Sequence, residues 1–327
     1  MSATPTAEFG AHWQALKRYF DTDAPRWIAR FFATLPPPDR ALIERLVLEG
    51  KSARGCLTCL VCESLGGTRT DALPRAVAIE CIQAASLVHD DFIDSDAIRR
   101  ERPALWTTLG PRRAVLLGDL MFATALAQGA RLSLADVQTL AEAIATVAAG
   151  AYQEPLDTQE LATREASQPG ARTLYERVIH CKTGALFGAA GKLGAIAAGA
   201  QVQHVAAAYA FATRIGEAYQ MADDVQDLLG APDGRGSPAQ KAAALETLRA
   251  HFAFPQTTPA ASSKERNAHG GSPRAESEAE LRPRLRQEVD RRLKLARREL
   301  ARFPAGLTAA LLDAAPAFIV NLQDLRV

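Results

Sequence analysis

The chain has 327 residues, of which 48% are hydrophobic and 6% aromatic, enough for one large domain or two ordinary ones with a sizeable core. Its formal net charge of +1 gives no footing for nucleic acid or an acidic surface as partner. No run of eighteen apolar residues occurs, and the start, Met-Ser-Ala-Thr-Pro-Thr-Ala-Glu-Phe, lacks both a basic segment and an apolar stretch, so neither an integral membrane segment nor a signal peptide is expected.

Alanine is abundant and strand-type alternation of Val, Ile and Thr nearly absent, which favours an all-α chain. Residues 11–34 hold two short helical patterns, the second opened by Pro25. A turn over Pro36–Asp39 and a helix over Ala41–Glu49 follow. Next comes Gly50-Lys51-Ser-Ala-Arg54-Gly55. If this is the first turn of a helix ending near Leu65, Lys51 and Arg54 share a face, and the free N–H groups there favour an anion. Taken alone, the same pattern is also that of a solvated turn.

Cys56, Cys59 and Cys62 recur at a spacing of three within that helix. No second group of Cys or His completes a tetrahedral site, so they read as small hydrophobes in a buried helix. Five cysteines, an odd number, make a reducing cytoplasm the expected compartment.

Gly66 and Gly67 end the cysteine helix. Pro74 suits the first turn of the next one, whose apolar residues Val77, Ile79, Ile82, Leu87 and Val88 keep helical spacing. This helix runs into Asp90-Asp91-x-x-Asp94. Asp90 and Asp94 are one turn apart and share a face. Unpaired carboxylates so close raise each other's pKa, and a hard divalent cation such as Mg²⁺ removes that penalty while keeping sites for water and phosphate. Arg99, Arg100 and Arg102 follow. Adjacent arginines cannot both point one way on a helix, so they suit a loop that grips two anions, or else a solvated basic turn.

Ala114–Ala130 is an apolar helix in which Asp119 needs a partner or a cap. Residues 134–152 form another helix and 158–171 a loop. A helix from Thr173 to about Ala198 contains Lys182, Thr183 and Gly184. Gly184 permits a kink, and Lys182 between apolar stretches must find an anion or snorkel to water. Ala206–Leu229 ends in Gln220-x-x-Asp223-Asp224-x-x-Asp227. Two acidic clusters, each closing a buried-looking helix, can face each other across a cavity with metals and a polyphosphate between them. Residues 230–238 are loop and Ala239–Phe252 helix. Residues 255–278 are polar and rich in Gly, Ser and Pro, with disorder expected. Helices over Leu281–Arg302 and Leu307–Leu322 complete the chain, which is expected to form a single domain over 1–327.

In this order, Gly50-Lys51-x-x-Arg54, His89-Asp90-Asp91-x-x-Asp94-x4-Arg99-Arg100, Gly118-Asp119, Lys182-Thr183 and Gln220-x-x-Asp223-Asp224-x-x-Asp227 resemble the motifs of the trans-type polyprenyl (isoprenyl) diphosphate synthases, and among these most the geranylgeranyl diphosphate synthases. The resemblance implies the isoprenoid-synthase fold, an all-α helical bundle around a deep central cavity, usually homodimeric. It implies three Mg²⁺ ions on Asp90, Asp91, Asp94, Asp223, Asp224 and Asp227, binding an allylic diphosphate. Arg99, Lys182 and Gln220 match residues that contact that diphosphate, and Thr183 lies beside the reacting carbons. Lys51, Arg54 and Arg100 match the isopentenyl diphosphate pocket. Gln83 stands where many members have His and some Gln. The expected chemistry is head-to-tail condensation of isopentenyl diphosphate with an allylic diphosphate, with Asp90, Asp91, Lys182, Thr183 and Asp223 carrying it.

One departure concerns the segment after the second acidic motif. Family members usually carry Gly-Lys there, and this chain has Gly234-Arg235-Gly236, so Arg235 is expected to reach the diphosphate. The altered segment also leaves open a non-catalytic partner subunit of another prenyl synthase, and a terpene cyclase is a third reading. Intact aspartates in both motifs argue for the synthase. In the family an aromatic residue at the position of Ala85 closes the cavity for a C15 product. Ala85 and Ser86 are small here, with Ile82 and Cys81 deeper on the helix as floor, so a product beyond C15 is expected, C20 first and longer chains next.

Overall fold

The computed structural model describes residues 5–155, 159–161, 173–227, 238–253, 278–304 and 307–322. The described residues are built almost wholly of helix. They comprise α1 (Pro5–Phe31), α2 (Pro37–Leu48), α3 (Ala53–Ser64), α4 (Arg69–Ile93), α5 (Leu105–Leu109), α6 (Pro111–Leu132) and α7 (Leu134–Gln153). After these come α8 (Leu174–Ile179), a π-helical turn (His180–Gly184), α9 (Ala185–Ala197), α10 (Val202–Asp227), α11 (Pro238–Ala253), α12 (Glu278–Glu299), a 3₁₀ turn (Leu300–Arg302) and α13 (Leu307–Asn321). A two-stranded hairpin, β1 (Ile98–Arg99) with β2 (Arg102–Pro103), is antiparallel with Arg99 opposite Arg102.

Several boundaries differ from the sequence reading for local reasons. The two patterns in residues 11–34 are one helix that carries Pro25 inside it. α4 starts at Arg69, five residues before Pro74, because Thr68 and Asp71 form a reciprocal capping box, which satisfies two free N–H groups at once. Lys51 lies outside α3, separated from it by Ser52 in the left-handed region at φ 46°, so Lys51 and Arg54 do not sit on one helical turn. Of the segment 255–278, Glu278 opens α12 and the rest lies outside the described residues.

α3, α4, α9 and α10 are the central layer: α4 packs on α3, α6 and α9, and α9 packs on α3 and α10. Their small residues allow close approach. A Cβ on Gly194 would fall 2.4 Å from Thr58 O, and one on Gly191 2.5 Å from Ala208 O. The main apolar cluster joins these helices to α1, whose Phe9 and Trp13 meet Phe318 of α13. A second cluster joins Tyr175, Ile179, Met221, Leu248, Phe252, Leu281 and Leu285, seating α11 and α12 on α8 and α10. Cys56, Cys59, Cys62 and Cys81 are buried and free. Burial pushes the Cys59 and Cys62 thiols up to about 12, as suits inert hydrophobes.

α6 is long and apolar enough by length and hydropathy to cross a membrane, which the sequence reading did not anticipate. Here it lies against α4 and α7, burying Ala114, Gly118, Met121, Ala125 and Gly129, a stripe at helical spacing. Asp119 is not enclosed in it: its side chain is 59% exposed and 3.6 Å from His89. α4 and α7 are tied by Arg75, whose Nε and Nη2 donate to both oxygens of fully buried Asp136 at 2.7 and 2.9 Å.

Candidate active site

The last turn of α4 brings Asp90, Asp91 and Asp94 together, with Asp94 as the C-cap. A helix C-terminus carries partial negative charge, so carboxylates there are unfavourable and cations favourable. Neither α4 nor α10 has a basic residue in its last turn, and both end in acidic clusters. Burial pushes Asp90 up to about 6 against the pull of Lys182, with Asp94 adding to the rise. It also raises Asp91, although Arg99 Nε donates to Asp91 Oδ1. Behind Asp90, His89 fills the space left by Gly118 and sits 3.0 Å from Val115 O.

The second cluster stands on α10. Asp224 accepts from the Tyr175 hydroxyl at 2.7 Å and from Gln220 Nε2 at 3.0 Å. Burial nevertheless lifts it to about 6, with those bonds and Lys182 opposing. The side chain of Asp227, like Arg235, lies outside the described residues.

Between the clusters lies the π turn. Where Gly184 permits a kink, the structure has this π turn, His180–Gly184, an irregularity found often at functional sites. It is held close to its neighbours: a Cβ on Gly216 would fall 3.0 Å from Gly184 Cα, and one on Gly150 2.3 Å from Cys181 Cβ. The turn presents Lys182 and Thr183. Lys182 Nζ donates to both Glu154 oxygens at 3.2 and 2.9 Å. Burial would lower its pKa, but Glu154 and Asp90 raise it, so the ammonium persists. Thr183 Oγ1 donates to Gln220 Oε1 at 2.6 Å. Lys182 thus acts electrostatically on Asp90 of α4 and Asp224 of α10 alike.

Lys51, Arg54 and Arg100 lie around the N-terminal end of α3. Lys51 donates to the Leu322 carbonyl. The Arg54 guanidinium lies 4.5 Å over the Phe187 ring, beside buried Glu80, whose Oε1 accepts from the Gly55 N–H at 2.7 Å. Arg100 approaches Gly50, its Nη2 lying 3.2 Å from where a Cβ would stand. Tyr219 feels the charges of Arg54, Asp223 and Arg100 after the larger effect of its own burial, which lifts it to about 12. The two-residue hairpin loop puts Arg100 and Glu101 at φ 50° and 63°, the left-handed pair of a type I′ turn, unusual without Gly or Asn. That strain separates Arg99, turned to Asp91, from Arg100, turned to Gly50.

Cys81, Ile82, Ala85 and Ser86 are buried on α4, the first three within the main apolar cluster. Ser86 Oγ donates to the Gln83 carbonyl at 3.0 Å, and Gln83 is half-buried. The sequence reading assigned no role to Glu80, Glu154, Tyr175, His180, Glu217 or Arg292. A buried acid among apolar neighbours signals Glu80 and Glu217, but only the fold supplies their partners.

The donor set fits divalent cations. Among the described residues no three His, Cys, Asp or Glu side chains form a ready metal cage. Mg²⁺ needs none, since it binds through one or two carboxylates with waters and substrate phosphates, and paired, burial-raised carboxylates at two helix C-termini suit it.

Helices of this arrangement around facing acidic motifs define a prenyl-synthase type of fold. A decaprenyl diphosphate synthase from Rhodobacter capsulatus superposes with TM-score 0.73 at 24% identity, covering 96% of this chain and 100% of that one. A polyprenyl synthase from Caulobacter crescentus, complexed with calcium and isoprenyl diphosphate, gives 0.66 at 24%, covering 97% and 96%. The chain belongs to the polyprenyl synthetase family, whose model matches residues 39–278. Relatives include a short chain isoprenyl diphosphate synthase of Methanothermobacter thermautotrophicus, 34% identical over 61% of both chains. A geranylgeranyl diphosphate synthase of Mycobacterium tuberculosis is 33% identical over 58% of this chain and 53% of its own. Heptaprenyl diphosphate synthase component 2 of Geobacillus stearothermophilus is 39% identical over 50% and 49%. The matches with these curated relatives span between 49% and 61% of the relatives' own length.

Proposed function

We propose that the chain condenses isopentenyl diphosphate head to tail with an allylic diphosphate, giving a prenyl diphosphate longer than C15, C20 first. The observation that carries this reading is the convergence of two acidic helix ends on one lysine, Lys182. Divalent cations, three Mg²⁺ in this reading, held by Asp90, Asp91 and Asp94 with Asp223, Asp224 and Asp227, supply neutralisation of the diphosphate charge.

The chain's own groups do the rest. Lys182, Arg99 and Gln220 bind the departing diphosphate, and their fixed charges and dipoles favour separation of the allylic carbocation. Thr183 Oγ and backbone carbonyls of the π turn steady the cation. Lys51, Arg54 and Arg100 hold isopentenyl diphosphate so that its double bond attacks, and the released diphosphate takes the proton. The apolar helices exclude water, which would quench the cation. Small Ala85 and Ser86 let the chain grow past them. In this reading the enzyme is a cytoplasmic homodimer, with exposed Leu116, Leu120 and Leu132 of α6 covered by a second copy.

The test is chromatography of products from purified chain, Mg²⁺, isopentenyl diphosphate and each allylic primer in turn. Asp90→Ala and Asp224→Ala should each lose several orders of magnitude in rate. Near-normal turnover in EDTA refutes the assignment. A second reading, a subunit working with a different partner, is raised by the Geobacillus relative named as a component. It is favoured if the chain alone makes no product and gains activity with another prenyl synthase.

A further inference from the structure

Among the described residues, the densest buried charge outside the carboxylate motifs lies behind the π turn. Arg292, on α12, is 3% exposed, and its guanidinium reaches three carboxylates. Nη1 donates to Glu217 Oε2, Nη2 to Glu176 Oε1 at 3.1 Å and Nε to Glu288 Oε1 at 3.2 Å. Glu217, on α10, is 1% exposed. It also accepts from Arg214 Nη1 at 3.1 Å and lies 3.0 Å from His180 Nδ1.

Three branches of this network, through Glu176, His180 and Glu217, stop one step short of a site group. Glu176 closes the capping box of α8 and is next to Tyr175, which donates to Asp224. His180 opens the π turn that presents Lys182 and Thr183. Glu217 lies one turn before Gln220, which joins Thr183 to Asp224. The Glu217 stem rests on the turn itself: a Cβ on Gly184 would fall 2.9 Å from Glu217 Cγ.

A π turn is rare and occurs mostly as a single-turn bulge inside an α-helix, frequently at functional sites. A buried charge needs a partner of opposite sign with its remaining donors satisfied, and the planar fork of arginine can serve two acids on two helices at once where lysine cannot. We propose that Arg292 is a positioning residue for the condensation, locking α8, the π turn and α10 in one register through Glu176 and Glu217. Lys182, Thr183 and Asp224 are thereby aimed at a common point, although α12 carries none of the residues assigned to the site. The role in catalysis rests on the synthase reading above; the clamp itself does not.

The test uses full-length Arg292→Met, Arg292→Lys and Glu217→Gln. Hydrogen exchange without substrate compares peptides over 174–187 and 213–227 with 53–64 as internal reference, and kinetics separate kcat from KM. Arg292→Met should exchange roughly tenfold faster in the first two peptides and no faster in the third. Its kcat should fall roughly 10²-fold, the scale of an ångström's misplacement, with KM for isopentenyl diphosphate within about twofold. Arg292→Lys should recover only part of kcat. Unchanged kcat in folded Arg292→Met, or acceleration spread equally over all three peptides, overturns the proposal. If Arg292→Met does not fold, Glu217→Gln, which keeps the shape of the side chain, must still loosen 174–187, and unchanged exchange there overturns it. A wild type that makes no prenyl diphosphate defeats the synthase reading and leaves the exchange test standing.

Discussion

Gly118→Ala puts one methyl group against the most crowded contact behind the first acidic motif. Its Cβ would lie 2.2 Å from His89 Nε2, 2.5 Å from Cδ2 and 3.0 Å from Cε1. Ordinary contact begins at 3.4 Å, so the ring must retreat by about 1.2 Å, the difference between 3.4 and 2.2. It has little room. Nε2 is 3.0 Å from Val115 O, and the Phe122 ring stands edge-on at 5.4 Å. Overpacking of this kind costs about 1–3 kcal/mol, partly offset by the gain of up to about 1 kcal/mol in helix propensity from Gly to Ala. Thermal unfolding should fall by a few degrees. His89 precedes Asp90 directly, so the shift reaches the carboxylate, and the condensation rate should drop roughly 10²-fold. Adding His89→Ala removes the clashing ring and should restore much of the lost melting temperature. A single variant equal to wild type in both melting temperature and rate, or a double variant no more stable than the single, refutes the reasoning.

Ala85→Phe should shift products towards C15 while the first condensation survives, since Ala85 stands five residues and roughly 7–8 Å along the helix from Asp90; the same long product from the variant, read by chromatography, removes Ala85 from the cavity wall. Arg75→Ala leaves fully buried Asp136 without its bidentate partner and should destabilise the fold by about 3–5 kcal/mol, measured by denaturant titration. For Glu217, burial works to raise the pKa, but His180, Arg292 and Arg214 outweigh it and hold the carboxyl at about 2 instead of 4.5. Its contribution, about 3 kcal/mol, is present above pH 4.5 and is lost as pH falls towards 2. Glu217→Gln should therefore be less stable than wild type at pH 7 and show a flatter decline between those values.

How far the sequence reaches is clearest at particular elements. Six aspartates in two repeats of one spacing were legible because helical periodicity places i and i+4 on one face whatever surrounds them. The all-α class followed from composition in the same way. Pro74 misled as a helix start because a capping box is decided by the geometry of Thr68 and Asp71. Asp119 was expected to need a partner or a cap; α6 turns it outward, 59% exposed, with His89 3.6 Å away, since the face a helix buries depends on its neighbours. The left-handed pair at Arg100 and Glu101 carries no Gly or Asn to announce it.

Local rules therefore reached the helical character of the chain and the spacing of its aspartates, but not the helix boundaries. Tertiary structure alone decided that Lys182 lies between Glu154, Asp90 and Asp224, separated from it by 28, 92 and 42 positions. It alone placed Arg292 against Glu217, 75 positions away. Such pairings are set by which apolar faces bury together, and a buried charge takes its partner from whatever helix that packing brings within hydrogen-bond reach.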